Sequence, residues 1–365
     1  MIFARGTWTY LALLISLSLP AVEMADPATR LLRGPLSWTG GPALALPPPP
    51  EDGSTFLAYK NPTVVQDHDG WTIVASRKSY RDQRVRHDLA CIRLRDWNHP
   101  EQAEVTTLFA GSPYASAPCL LYFTPHRAWY LFLGWTDPAT KMEGPAFTRV
   151  DDLAQLAQCP QPTPCFTSLP GTLPKKSGVR WLDFTVIGDG QRMYLFFTDD
   201  SGNFLRCSTS LDRFPLGWDD PVVVMTHPTS VLFEGSCTYR IEGTDTFLTI
   251  VEAIDPVSRG RFYTSFRADR LDGAWTPIST TPDHPFAGPA NVHGADGSPG
   301  WSRHISHGEL LRSRQDETMA VDPAHLTFLY QGWDGHTRVP GVPLGKYNGY
   351  HEIPYRLGLL HLDAP

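Results

Sequence analysis

Four polar residues lie at matching points of four short apolar runs. They are Asn61 in KNPTVV (60–65), Asp183 in WLDFTVI (181–187), Glu234 in LFEGSCTYRI (232–241) and His307 in ISHGELL (305–311). Two carboxylates, an amide and an imidazole can move protons and hold a polar ligand, provided that they converge. Singly, each has an ordinary role. Asp183 after an apolar pair suits a turn or cap, and Glu234 before Gly235 suits a strand end. His307 suits a satisfied core position, and Asn61 before Pro62 is a turn signal. Whether these residues do chemistry depends on whether the fold gathers them from distant parts of the chain.

The elements that would gather them are strands. Helical periodicity is nearly absent, and DDLAQLAQ at 151–158 is the one short helix that the pattern predicts. Elsewhere, runs rich in Val, Ile, Phe, Tyr, Trp and Thr are broken by Gly and Asp turns. A polar turn followed by an aromatic strand recurs five times: WTIVAS from Trp71, AWYLFLGW from Ala128, RMYLFFTD from Arg192, TFLTIVEAI from Thr246 and HLTFLYQG from His325. Spacings of roughly 50 to 80 residues indicate a propeller or solenoid, and blades of four strands fit that length. The expected fold is therefore all-β, a five-bladed β-propeller over 51–365. Ahead of each aromatic strand stands a further short strand, APCLLYF (117–123) completing the set of five. In a propeller the innermost strand of each blade faces the axis. Asn61, Asp183, Glu234 and His307 would then meet at one mouth of the central channel.

The order and spacing of these runs carry a resemblance to a known family. KNPTVV, SAPCLLYF, WLDFTVIGDGQRMYLFFTDDSGNFLR, FEGSCTYRIEG, FLTIVEAI, HPFAG, ISHGELLR, FLYQG and IPYRLGLL, from about Lys60 to Leu362, resemble glycoside hydrolase family 62, the α-L-arabinofuranosidases that trim arabinoxylan. The resemblance implies a five-bladed propeller and an inverting mechanism, in which an acid protonates the leaving oxygen and a base activates water on the opposite face. It gives Glu234 the role of general acid. Asp183 would position the arabinose and help to keep the acid protonated. Lys60 and Tyr350 would line the arabinose pocket, and His307 would occupy a calcium-associated position on the axis. The chain departs from the family at one point. The family's base is the Asp of a KDPT or KDFT motif, and here that position is Asn61, a neutral amide. General base catalysis contributes about 10²–10⁴-fold, so this exchange bears directly on activity. Asp67 and Asp69 follow in QDHDG, which reads as a hairpin turn. Three readings follow: an arabinofuranosidase with Asn61 as a weak or relayed base, a non-catalytic arabinan or arabinoxylan binder, or a hydrolase of another furanoside.

Composition narrows the partners. The 365 residues carry 31 Lys and Arg against 38 Asp and Glu, a net charge of -7, without a basic block. Nucleic-acid binding, which needs clustered cations, is not expected. The 41% hydrophobic content supports a large core, and 11 Trp offer stacking platforms. The apolar run Tyr10–Leu19, closed by Pro20 and followed by Ala21 and Ala25, has the order of a secretory signal over 1–25. It is about ten residues long, too short to span a bilayer that needs about 20. A Pro-rich arm is expected over 26–50, and the mature chain is expected to be a secreted monomer acting on polysaccharide, with no membrane partner. Of six Cys, Cys159 and Cys165 in CPQPTPC are placed for a small surface disulfide. Cys91, Cys119, Cys207 and Cys237 lie in strand-like runs, as buried thiols or a second bridge.

Overall fold

The computed structural model describes residues 26–168, 181–343 and 352–364. Five sheets account for nearly all of it. Three blades are antiparallel meanders of four strands: 55–108, 115–164 and 182–226. The fourth spans 234–279 and gains Ala320–Val321 in parallel beside its inner strand. The fifth uses Ser306–Leu310, Thr327–Gly332 and Arg356–Leu362. The inner strands are Thr55–Asp67, Ala115–Phe123, Leu182–Gly188, Glu234–Ile241 and Ser306–Leu310. The five expected aromatic strands are the second strands of the blades, starting within two residues of the expected points.

The first hairpin shows how the turns are set. Asp67 Oδ1 accepts the Asp69 N–H at 2.9 Å, so both aspartates belong to the turn. Gly70 closes it at φ 133°, where a Cβ would lie 2.6 Å from the Leu94 carbonyl oxygen. No other residue fits that approach.

Residues 26–50 are more than an arm. Pro27–Arg33 form an α-helix, capped by Asp26, whose carboxylate accepts from the Ala28 and Thr29 N–H groups. Trp38–Gly40 pair antiparallel with Leu360–Leu362 and parallel with Val292–Gly294, so the start of the chain completes the last blade. Trp38 is fully buried and donates its indole N–H to the Phe286 carbonyl at 2.6 Å. Asp363 fastens this junction. It accepts from the Ser37 hydroxyl, accepts from Thr39 Oγ1 at 2.6 Å and lies 2.9 Å from His293 Nε2. The ring closes by joining the two ends of the described chain.

Two further expectations are corrected. The short helix is a 3₁₀ helix over Leu153–Gln158. All six cysteines are free thiols. Cys165 is buried in the large aromatic core, whereas Cys159 packs on the separate cluster containing Leu153, Leu156 and Cys91. The two sulfurs of the expected bridge serve different cores. The signal expected over 1–25 and Tyr350 lie outside the described residues. Among those described, no helix is long and apolar enough to cross a membrane.

Candidate active site

Each inner strand carries a β-bulge at the same step. The register shifts between Lys60 and Thr63, Ser116 and Cys119, Leu182 and Thr185, Glu234 and Cys237, and Ser306 and Gly308. A bulge re-aims one side chain out of the alternation of the sheet. The residues at this step in the first four blades are Asn61, Ala117, Asp183 and Gly235, with φ of 48°, 50°, 58° and 64°. Asn, Asp and Gly tolerate that left-handed region best. His307 holds the step in the fifth blade. All five residues line one cavity on the axis. Gly235 is required there, because a Cβ would press on the His307 ring at 3.1 Å.

Asp183 is the hub of the mouth. Its Oδ1 accepts from Asn61 Nδ2 at 3.2 Å, and its Oδ2 accepts from the Gly235 N–H at 2.8 Å and faces His307 Nε2 at 2.8 Å. On the far side of the imidazole, Nδ1 lies 3.1 Å from Glu252 Oε2. That oxygen also accepts from Ser306 Oγ at 2.6 Å and from the His307 N–H at 2.8 Å. Glu252 Oε1 meets Arg261 Nη1 at 2.9 Å, and the same nitrogen is 3.7 Å from Glu234 Oε1. Asn61 is pinned from behind, its N–H donating to Gln331 Oε1 at 2.8 Å while Gln331 Nε2 donates to Ser306 Oγ at 2.9 Å. Lys60 is buried with its ammonium 5.2 Å from the centre of the Tyr355 ring. Asn61, Asp183, Glu234, His307 and Lys60 thus share one neighbourhood.

Burial and charge set the protons. Burial pushes the Glu234 carboxyl up, Glu252 and Asp183 push it further, and it reaches about 7 against the pull of His307 and Arg261. Burial also opposes ionisation of Glu252, but Arg261 and then His307 hold it well below the usual carboxylate range. Asp183 is lowered in the same way, burial being outweighed by His307 and the Gly235 N–H. For His307, burial disfavours the charge, yet Asp183 and Glu252 together raise it to about 10. Burial lowers Lys60, with Glu234, Glu252 and Asp183 working against that. Near neutral pH the site holds an imidazolium between two carboxylates and, beside them, a carboxyl that loses its proton only around pH 7. Neighbouring titratable groups driven apart in this way assign acid and base roles.

The calcium implied at His307 meets an unsuitable donor set. Glu234, Glu252 and His307 do bring ligand atoms within 4.8 Å of one another. Calcium takes about six to eight oxygens, and here both imidazole nitrogens face carboxylates while Glu252 is engaged by Arg261 and Ser306. The residues around His307 do not fit a calcium ion bound through it.

Glu252 and Arg261 escaped the sequence reading. The available signal was a Glu inside the apolar strand FLTIVEAI, since a buried charge needs a partner. The partner follows on the next strand of the same sheet, where Arg261 pairs with Ile254.

A propeller whose mouth holds a protonated carboxyl beside ionised ones is the ground plan of a glycoside hydrolase. The family model described as glycosyl hydrolase family 62 matches residues 37–361, and the chain belongs to that family. It is 35% identical over 336 residues to α-L-arabinofuranosidase C of Cellvibrio japonicus, covering 91% of this chain and 48% of that protein. The chain therefore spans about half the length of this relative. The catalytic domain of the family 62 α-L-arabinofuranosidase of Coprinopsis cinerea superposes with a TM-score of 0.78 at 30% identity, covering 91% of this chain and 98% of that one. A family 62 hydrolase in complex with xylotriose superposes with a TM-score of 0.76 at 27% identity, covering 89% and 97%.

Proposed function

We propose that this chain is a secreted, inverting α-L-arabinofuranosidase that removes arabinose side chains from arabinoxylan, with Asn61 standing where the family has its base. The observation that carries this reading is Glu234, a carboxyl raised to about 7 at the mouth of the axis. A group with that pKa is largely protonated below about pH 7 and can deliver its proton to a leaving oxygen. Ionised Asp183 and Glu252 help to keep it protonated, and Arg261 couples Glu252 to it. Lys60 and Asp183 would hold the sugar. The xylotriose complex of a relative supports a xylan main chain as the ligand. The apolar run Tyr10–Leu19 supports export.

A second reading, a non-catalytic arabinoxylan binder, is favoured by one observation. Asn61 points its amide donor at Asp183 and carries no charge. One experiment separates the two. The intact chain is incubated with arabinoxylan, and early products are followed by proton NMR beside a pull-down on insoluble arabinoxylan. The hydrolase releases L-arabinose, its β-anomer first. Early α-anomer contradicts inversion, and retention on the polymer without release selects the binder.

A further inference from the structure

The reading as a hydrolase leaves one chemical question, which group accepts the proton of the attacking water. Asp183 is a poor candidate for direct attack, because both of its oxygens already accept hydrogen bonds, from Asn61, from Gly235 and from His307. Asn61 is differently placed. An ionised carboxylate only accepts, so the Asn61 group facing it must be the NH₂, which fixes the orientation of the amide. Its backbone is held by Gln331 and by the bulge. Its Oδ1 accepts no hydrogen bond from any described residue, and the side chain lines the axial cavity. The amide therefore has an acceptor toward the cavity and a donor already aimed at a carboxylate 3.2 Å away.

We propose that Asn61 and Asp183 act as one base: Asn61 Oδ1 takes the proton of the attacking water while Asn61 Nδ2 passes a proton to Asp183 Oδ1, the amide becoming an imidic acid during the step. This rests on the arabinofuranosidase reading. The water oxygen bonds to the anomeric carbon as the bond to the leaving oxygen breaks, and the leaving oxygen takes the proton of Glu234. Asp183 then returns its proton to nitrogen. The proton on Oδ1 leaves to solvent, and Glu234 recovers one from solvent, so the site is restored with no other reactant. His307 and the Gly235 N–H make Asp183 a weak terminal acceptor. The relay is therefore slower than a carboxylate at position 61, and faster than no acceptor at all.

The test measures arabinose release from arabinoxylan by the intact chain and by Asn61→Asp, Asn61→Ala, Asp183→Asn and the double variant Asn61→Ala/Asp183→Asn. Asp keeps the shape of Asn, and Ala117 already occupies the same step of the second blade at φ 50°, so both position-61 variants are expected to fold, which melting checks. Asn61→Asp should raise turnover about 10²-fold, and Asn61→Ala should lower it about 10-fold or more. Azide should restore Asn61→Ala alone, as the β-arabinofuranosyl azide. The double variant should be no slower than Asp183→Asn, because residues acting as one unit are not additive. In mixtures of H₂O and D₂O, the rate of the unmodified chain should curve with deuterium fraction, reporting more than one proton in flight. Release by Asn61→Ala as fast as by the unmodified chain overturns the relay, as do additive losses in the double variant. Release by Asn61→Asp alone overturns the relay and keeps the hydrolase pocket. No release by either, with arabinoxylan still bound, overturns the hydrolase reading itself.

Discussion

Two histidine–carboxylate clusters in this molecule use the same groups in different surroundings. At the mouth, His307 lies between Asp183 and Glu252 with its side chain 6% exposed. At the ring closure, His293 lies 2.9 Å from Asp363 with its side chain 39% exposed. Burial disfavours charge in both places, but only at the mouth is the imidazole flanked by two buried carboxylates. There His307 rises to about 10 and a neighbouring Glu234 keeps its proton to about 7. At the closure, the Gly294 carbonyl and Asp363 raise His293, and water screens the result. The mouth organises protons, and the closure organises backbone.

The largest test of that contrast is Glu234→Gln. If the mouth exists to keep one carboxyl protonated, the variant should lose about 10²–10⁴-fold in turnover on arabinoxylan, with melting unchanged. Aryl arabinosides, whose leaving groups need little protonation, should lose much less. The rate of the unmodified chain should fall as pH rises above about 7, where Glu234 ionises. Equal losses on both substrates would make Glu234 structural.

Next in size is His307→Ala, which strands two buried carboxylates. Removing one partner of a buried ion pair costs about 3–5 kcal/mol, read by urea or thermal unfolding. The folded state raises the pKa of His307, so its stabilisation is complete below the unfolded value near 6.5 and is lost as pH rises toward about 10. The unmodified chain should lose stability over that window, and the variant should lose less. Neither should respond to EDTA or added calcium, and a clear rise in melting temperature with calcium would return a metal to the axis.

The smallest effect belongs to the closure. Asp363→Asn keeps an acceptor for Thr39 and should cost about 1 kcal/mol or less, with His293→Ala smaller still. The His293 contribution should be present at acidic pH and fade as pH rises through its titration, since its folded pKa is also raised. A loss at Asp363 as large as that at His307 would erase the distinction between the two clusters.

The sequence displayed one side of this comparison better than the other. The five blades were legible because each aromatic strand follows a polar turn, and that signal is local. Asp183 and Glu234 stood out as charges inside apolar runs. Glu252 lay equally visible in TIVEAI, but its meaning depends on Arg261 across the strand pair and His307 in another blade. The closing strand Trp38–Gly40 has three residues inside the Pro-rich stretch 26–50, and its partners lie at the other end of the chain. No window of sequence contains that pairing. The bulges were also hidden, since a one-residue register shift leaves no mark in composition. The Cys159–Cys165 expectation failed because spacing in sequence says nothing about which core each thiol enters.

The five bulges have a further consequence. They make the mouth a turret with five sockets at one step of the ring, which carry an amide, a methyl, a carboxylate, a hydrogen and an imidazole; four share a left-handed backbone, and the Gly235 socket has no room for a Cβ. Chemistry in such a turret is changed by reloading one socket rather than by refolding a blade. The Ala117 socket bears only a methyl group, on the blade between those of Asn61 and Asp183. It is the place where a new function could be mounted at the least cost to the frame.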